Sequence, residues 1–301
     1  MKITDEIVRP KHFGQMHDRH RSRHSLVGLI MFFLGILIPV ATSAEVTLVF
    51  GSYAADKPTE TVRKYRPFLN FLAEEMSIRL SERVVIRMKI AKKYEDSIAQ
   101  LANGTVDFAR FGPASYVMAK QSNPNVQIVT MESVKGEKRF NGVIVVHKDS
   151  EIHFLSELEG QTFAFGDELS TIGRYLAQSH LLDAGISSSD LVGFDYLGRH
   201  DLVGEAVGAG RFVAGALKES TFKKLVKKGV PIRALFKFEN VTKPWLVSAN
   251  VSPRVMAAMR DVMLSSENDE IVRKIAKNGF LQGGDEDYDF VRLAMEHSRA
   301  F

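Results

Sequence analysis

In the stretch FGDELSTIGRYL (residues 165–176), two adjacent hydroxyls and a glycine stand where a turn gives way to a helical pattern. Ser170 or Thr171 can cap the helix, and the free N–H groups of a first helical turn, with the helix dipole behind them, form a donor cluster for an anion. Gly173 would keep side-chain bulk away from an approaching anion. The same residues suit an ordinary Ser/Thr N-cap, the commoner use of this pattern. Three other stretches offer related chemistry. Gly51-Ser52-Tyr53-Ala54 can present a hydroxyl and a phenol, or be a plain turn with an exposed Tyr. In Ala109-Arg110-Phe111-Gly112-Pro113-Ala114-Ser115-Tyr116, Pro113 suits the first position of a helix, which sets Ser115 and Tyr116 in its first turn. Arg110 could add charge, although an Arg at a strand end is more often a surface residue. In Leu197-Gly198-Arg199-His200-Asp201, His200 can donate to an oxyanion even when neutral, while Asp201 can serve as a helix cap.

All four stretches follow short apolar runs. VTLVF (46–50), VVIRMKI (84–90), VDFA (106–109), VQIVTM (126–131) and GVIVVH (142–147) are β-branched, bounded by turn residues, and predict strands. Val62, Tyr65, Leu69, Leu72 and Met76 recur at spacings of three and four and predict a helix between the first two. Ile98 and Leu101 mark a shorter helix stopped at Asn103-Gly104. The alternation resumes with TFAF (162–165), a helix from Thr171, LVGFDYL (191–197), a helix from Asp201, VAGAL (213–217), a basic helix and PIRALF (231–236). From Pro253 the pattern reads as helical to the end. Strand–helix alternation predicts an α/β chain with mostly parallel sheets flanked by helices. Two such runs predict two lobes around a cleft, and in open α/β sheets ligands bind where strands lead into helices.

Composition narrows the function classes. Residues 26–40 are an uncharged apolar run behind a basic segment and ahead of Ala41-Thr42-Ser43-Ala44. That pattern reads as a secretory signal cleaved after Ala44, with an uncleaved N-terminal anchor as the alternative. Six of the 40 basic and three of the 36 acidic residues lie in 1–44, which leaves 34 against 33 in the remainder. The basic pI is therefore no argument for nucleic acid. With no cysteine there is no disulfide, thiolate metal site, Cys nucleophile or lipidated N-terminal Cys. No Ser-His-Asp order, metal cluster or paired acids suggest an enzyme, and no cofactor or metal is expected.

The order of GSY after the first strand, DFARFGPASYV, FGDELSTIG, and LGRHD with AVGAGRFVAGAL resembles the phosphate/phosphite/phosphonate-binding proteins of ATP-binding-cassette importers. The match runs from about Val46 to Leu246. The resemblance implies a type II periplasmic-binding-protein fold, a periplasmic location, and a monomer with two α/β lobes joined by two crossing segments. Lobe 1 would comprise 45–140 plus 241–301, and lobe 2 141–240. It also implies a phosphorus oxyanion gripped by Ser170, Thr171 and His200, with Tyr53 and Tyr116 lining the opposite lobe. Gly173, Ser115 and Ser52 complete the expected ligand-binding set. Two departures stand out: Ile172 replaces a hydroxyl that relatives often carry, and Val213 replaces an Asp. No acid stands near Lys243-Pro244-Trp245 to receive an amine, and Glu219 is only a loose candidate. Phosphate, phosphite or a simple phosphonate is the expected ligand, and an ABC permease the expected partner. A sensory protein docking onto a histidine kinase is the alternative.

Overall fold

A computed structural model describes residues 45–53, 58–266 and 269–301. The leader read at 1–44 and its cleavage point, like Ala54, lie outside these residues. Among the described residues no helix is long and apolar enough to cross a membrane.

The chain begins with β1 (Glu45–Tyr53), α1 (Pro58–Leu80), β2 (Arg83–Ala91), α2 (Tyr94–Ala102), β3 (Phe108–Arg110), α3 (Pro113–Ser122) and β4 (Gln127–Glu132). The expected face of α1 is buried at Tyr65, Leu69, Leu72 and Met76, while Val62, in the helix's second turn, is exposed. Gly104, in the left-handed region at φ +75°, ends α2 as its Asn-Gly stop predicts. β5 (Arg139–His147) then leads into β6 (Thr162–Phe165), a π-helical turn Thr171–Leu176 continued by α4 (Ala177–Asp183), β7 (Gly193–Tyr196), α5 (His200–Gly208), β8 (Ala214–Lys218), α6 (Glu219–Lys227) and β9 (Ile232–Val241). The chain returns through β10 (Pro244–Val247), α7 (Pro253–Ser265), α8 (Glu270–Ile275), β11 (Phe280–Leu281) and α9 (Asp289–His297).

Two sheets result, ordered β11-β4-β10-β3-β1-β2 and β7-β6-β8-β5-β9. They are mixed, not mostly parallel as the strand–helix alternation suggests. β1 pairs in parallel with β2 and β3, and β6 with β7 and β8. These pairs come from strand–helix–strand units, whose crossover returns the chain in the same direction. Every antiparallel pair involves β5, β10 or β11, strands by which the chain crosses between the sheets or returns to the first. The crossing segments lie side by side. Arg139 is in register with Val241, Thr242 N donates to Lys138 O at 3.0 Å, and Glu132 N donates to Lys243 O at 3.0 Å.

β11 interrupts the tail that the sequence reads as helical from Pro253, and β10, which precedes that tail, is a strand the sequence reading does not contain. Trp245 of β10 is fully buried, stacked on Phe50 at 5.5 Å and edge-on to Phe68 and Phe280. Burial of a side chain this large contributes on the order of 3–5 kcal/mol, enough to hold a four-residue strand in the centre of the first sheet. The C-terminal segment bridges both sheets: Val291 packs in the first lobe, while Phe301 meets Phe165 and Phe194 of the second.

Candidate functional site

A cleft of about 900 Å³ opens between the two sheets, and of the helical segments that begin at it, α2 and α6 among them, three carry residues of the expected site. Gly112 and Pro113 start α3, Ser170 and Thr171 start the π-turn, and Arg199 and His200 start α5. Pro113 needs no N–H at this position, and its ring fixes φ for helix entry. Helix starts carry unpaired N–H groups and the positive end of the dipole, so the cleft floor is a donor surface.

The residues from the two lobes touch here. Thr171 Oγ1 accepts a hydrogen bond from Ala114 N at 2.8 Å, so a hydroxyl of the second lobe meets the first turn of a first-lobe helix. Tyr53 OH accepts from Gly112 N at 2.7 Å and lies 3.2 Å from Ser115 Oγ. The Tyr53 ring stacks on Tyr94 at 3.7 Å. Burial pushes the Tyr53 phenol above its ordinary range, which keeps it a neutral donor. Ser52 is buried beside it and lines the cleft. Ser170 is the helix cap that the sequence allowed, and it stands at the cleft. Its Oγ caps the π-turn by accepting from Gly173 N at 3.0 Å, and it borders the cleft, with its own hydroxyl proton still available to donate.

His200 is the first residue of α5 and is 5% exposed. Its Nδ1 is buried and has no hydrogen-bond partner. Burial, with Lys218 and Lys243 nearby, holds the ring well below the ordinary histidine range, so it is neutral at pH 7. A neutral imidazole offers one donor and one acceptor. Asp201 is not the N-cap residue, which is Arg199, but its carboxylate accepts from the backbone N–H groups of Asp201 and Leu202 in the first turn of α5 and takes a bidentate ion pair from Arg199 at 2.5 and 3.0 Å.

Three expectations change. Tyr116 does not line the cleft: its side chain leaves the far side of α3, where its OH donates to Asp285 at 2.5 Å and its ring meets Tyr288 edge-on. Gly173 does not clear the way for an anion. A Cβ there would lie 2.7 Å from Gly166 Cα and 3.0 Å from Gly166 N, so the glycine is required by backbone packing. Arg110 is no surface residue; it makes a buried bidentate pair with Glu132 at 2.6 and 2.8 Å.

Sequence reasoning missed the residues of the crossing segment. Asn240 and Thr242 line the cleft, are each 1% exposed, and have unpartnered side-chain atoms. Lys243 lines it as well, with its ammonium 5.8 Å from the centroid of the Phe140 ring. Burial and the neighbouring cations Arg110 and Lys218 push this lysine well below its ordinary range. The available signal was the polar triplet Asn240, Thr242 and Lys243 following a strand, legible only once that strand is known to cross. Ile172, which replaces a hydroxyl, is buried in the core of the second lobe beside Phe238. Among the described residues no group of His, Asp or Glu is placed to hold a metal ion.

A family model described as "ABC transporter, phosphonate, periplasmic substrate-binding protein" matches residues 50–288. The chain belongs to that family. A curated relative is 25% identical over 213 residues, covering 68% of this chain and 69% of its own length. It is the probable ABC transporter phosphite-binding protein PhnD1 of Prochlorococcus marinus. The solved structure of PhnD1 with methylphosphonate has a TM-score of 0.73 at 21% identity, over 85% of this chain and 99% of that one. A binding component of an ABC phosphonate transporter from Pseudomonas aeruginosa, PA3383, has a TM-score of 0.72 at 16% identity, over 85% of this chain and 87% of that one. The phosphonate-binding family places the chain among substrate-binding components of periplasmic transport systems, with the two-lobed fold expected of them.

Proposed function

We propose that the cleft captures a small phosphorus oxyanion, such as phosphate, phosphite or a simple phosphonate, and that the closed, ligand-bound form delivers it to an ABC importer. The observation that carries this reading is the buried, neutral His200, with Nδ1 unpartnered, at a cleft where helical segments start. Thr171, Ser170, Tyr53 and the helix N–H groups supply neutral donors, each hydrogen bond to a charged oxygen contributing about 1.5–3 kcal/mol net. Ser115 and Ser52 belong to the same shell through Tyr53, whereas Tyr116 and Gly173 support it from behind. Donors come from both lobes, so the anion favours closure by its differential affinity for the closed form.

The donor set also discriminates. A protonated phosphorus oxyanion presents both an O–H and O⁻ groups, so it can accept from a neutral His200 N–H or donate to its unprotonated ring nitrogen. Sulfate has no O–H at neutral pH and leaves the acceptor unmatched. Glu219 is unsuited to an amine because Lys223 and Lys237 each approach it at 3.0 Å. Isothermal titration with phosphate, phosphite, methylphosphonate and sulfate tests the reading. Saturable binding of at least one phosphorus anion, tighter than sulfate, is expected. Silence across the panel overturns it.

A further inference from the structure

The charges around the cleft are unevenly satisfied. Of the acids that line it, Glu132 is taken by Arg110, Asp201 by Arg199, and Glu219 by Lys223 and Lys237. Glu60 and Glu205 are exposed at its rim. Lys243 forms no ion pair with a described acid: Glu132, the acid whose charge reaches it, is held by Arg110, and its ammonium lies 5.8 Å from the centroid of the Phe140 ring. Beside it in the same crossing segment stand Asn240, with both amide atoms buried and unpartnered, and Thr242, with an unpartnered Oγ1. An amide and a hydroxyl this deeply buried without partners are costly, and so is a mostly enclosed ammonium whose nearby acid is already paired with Arg110. A neutral substituent on the ligand would leave Lys243 only the charge of the phosphonate head near His200 and that of Glu132, which Arg110 already holds, and an aminoalkyl one would add a further cation among Lys243, Lys218 and Arg110. A carboxylate would accept from the lysine and from the Asn240 amide together. The cleft, at about 900 Å³, has room for a substituent beyond a phosphonate head.

We propose that Asn240, Thr242 and Lys243 form a second recognition locus, which takes an anionic substituent, so that the preferred ligands are phosphonates carrying a carboxylate. The assignment rests on the reading of the cleft as a phosphorus-oxyanion site. A bound carboxylate would also relieve the burden that burial and the nearby cations place on the charged form of Lys243.

Titration calorimetry on the full-length protein with methylphosphonate, propylphosphonate, phosphonoacetate, 3-phosphonopropionate and 2-aminoethylphosphonate tests this. One of the two carboxylates should bind about tenfold tighter than propylphosphonate, which has no charged tail, and 2-aminoethylphosphonate should bind weakest. In Lys243→Met, affinity for the carboxylate should fall about tenfold more than affinity for propylphosphonate. The ranking on the unmutated protein stands independently of how the variant folds. If propylphosphonate binds as tightly as both carboxylates, or the variant weakens all ligands alike, the second locus is wrong while the oxyanion site survives. If no phosphonate binds, the second locus falls, and the oxyanion reading falls with it only if phosphate and phosphite are silent too.

Discussion

Thr171→Val tests the bridge between the lobes with little change of volume. The substitution deletes Oγ1, which accepts from Ala114 N at 2.8 Å, and leaves that N–H buried in the closed form without a partner. It also removes one hydroxyl able to donate to the ligand. An incoming anion oxygen can itself accept from Ala114 N, so the larger loss is the donated hydrogen bond to a charged oxygen. At about 1.5–3 kcal/mol, that loss weakens binding by about 10- to about 150-fold. Thr171→Ser keeps the hydroxyl and should stay within about threefold of the unmutated protein, the usual effect of losing only a small contact. Titration calorimetry with the tightest ligand of the phosphorus panel measures both, and thermal melts confirm that each variant is folded. Binding of Thr171→Val indistinguishable from the unmutated protein would refute the bridging role. So would a Thr171→Ser variant as weak as Thr171→Val.

Three further outcomes follow from packing and charge. Gly173→Ala drives a Cβ to 2.7 Å from Gly166 Cα, backbone against backbone, and should destabilise the second lobe by about 1–3 kcal/mol, seen as a lower Tm; an unchanged Tm with weakened binding would restore the anion-clearance role. Glu132→Ala leaves the buried Arg110 guanidinium unpaired and should lower the unfolding free energy by about 3–5 kcal/mol in chemical denaturation; a loss below about 1 kcal/mol would mean that the pair is solvated. His200 has a folded pKa held below the ordinary histidine value, so the unfolded chain binds more protons between the two, and stability should fall as pH drops below about 6.5. His200→Gln should flatten that part of the stability profile, and an equally steep profile in the variant would contradict the assignment.

The strands that the sequence made legible are those with enough residues to show a period. TFAF at 162–165 is β6 to the residue, and VVIRMKI is β2 less one residue at either end. β10 opens on Pro244, which cannot donate to a ladder and argues against a central strand, and β11 has only two residues. Their place is decided by Trp245 and Phe280 meeting Phe68, a contact between residues far apart in the chain. The same limit governs the site. Ser170, Thr171 and His200 were legible because each stands at a strand-to-helix junction. Tyr116 stands at such a junction too, but its side chain turns to Asp285, 169 residues later, and no local pattern reports that. Asn240, Thr242 and Lys243 were hidden because PIRALF ended the visible strand at Phe236, whereas β9 runs to Val241, carries Asn240, and leads through Thr242 and Lys243 into β10.

The most direct measurement is a crystal structure of the protein with methylphosphonate. The account predicts the phosphonate in the cleft, with oxygens within about 3 Å of the Thr171 hydroxyl, the His200 ring and the N–H groups that start α3. A phosphonate bound elsewhere, or one in the cleft that touches neither Thr171 nor His200, would contradict it.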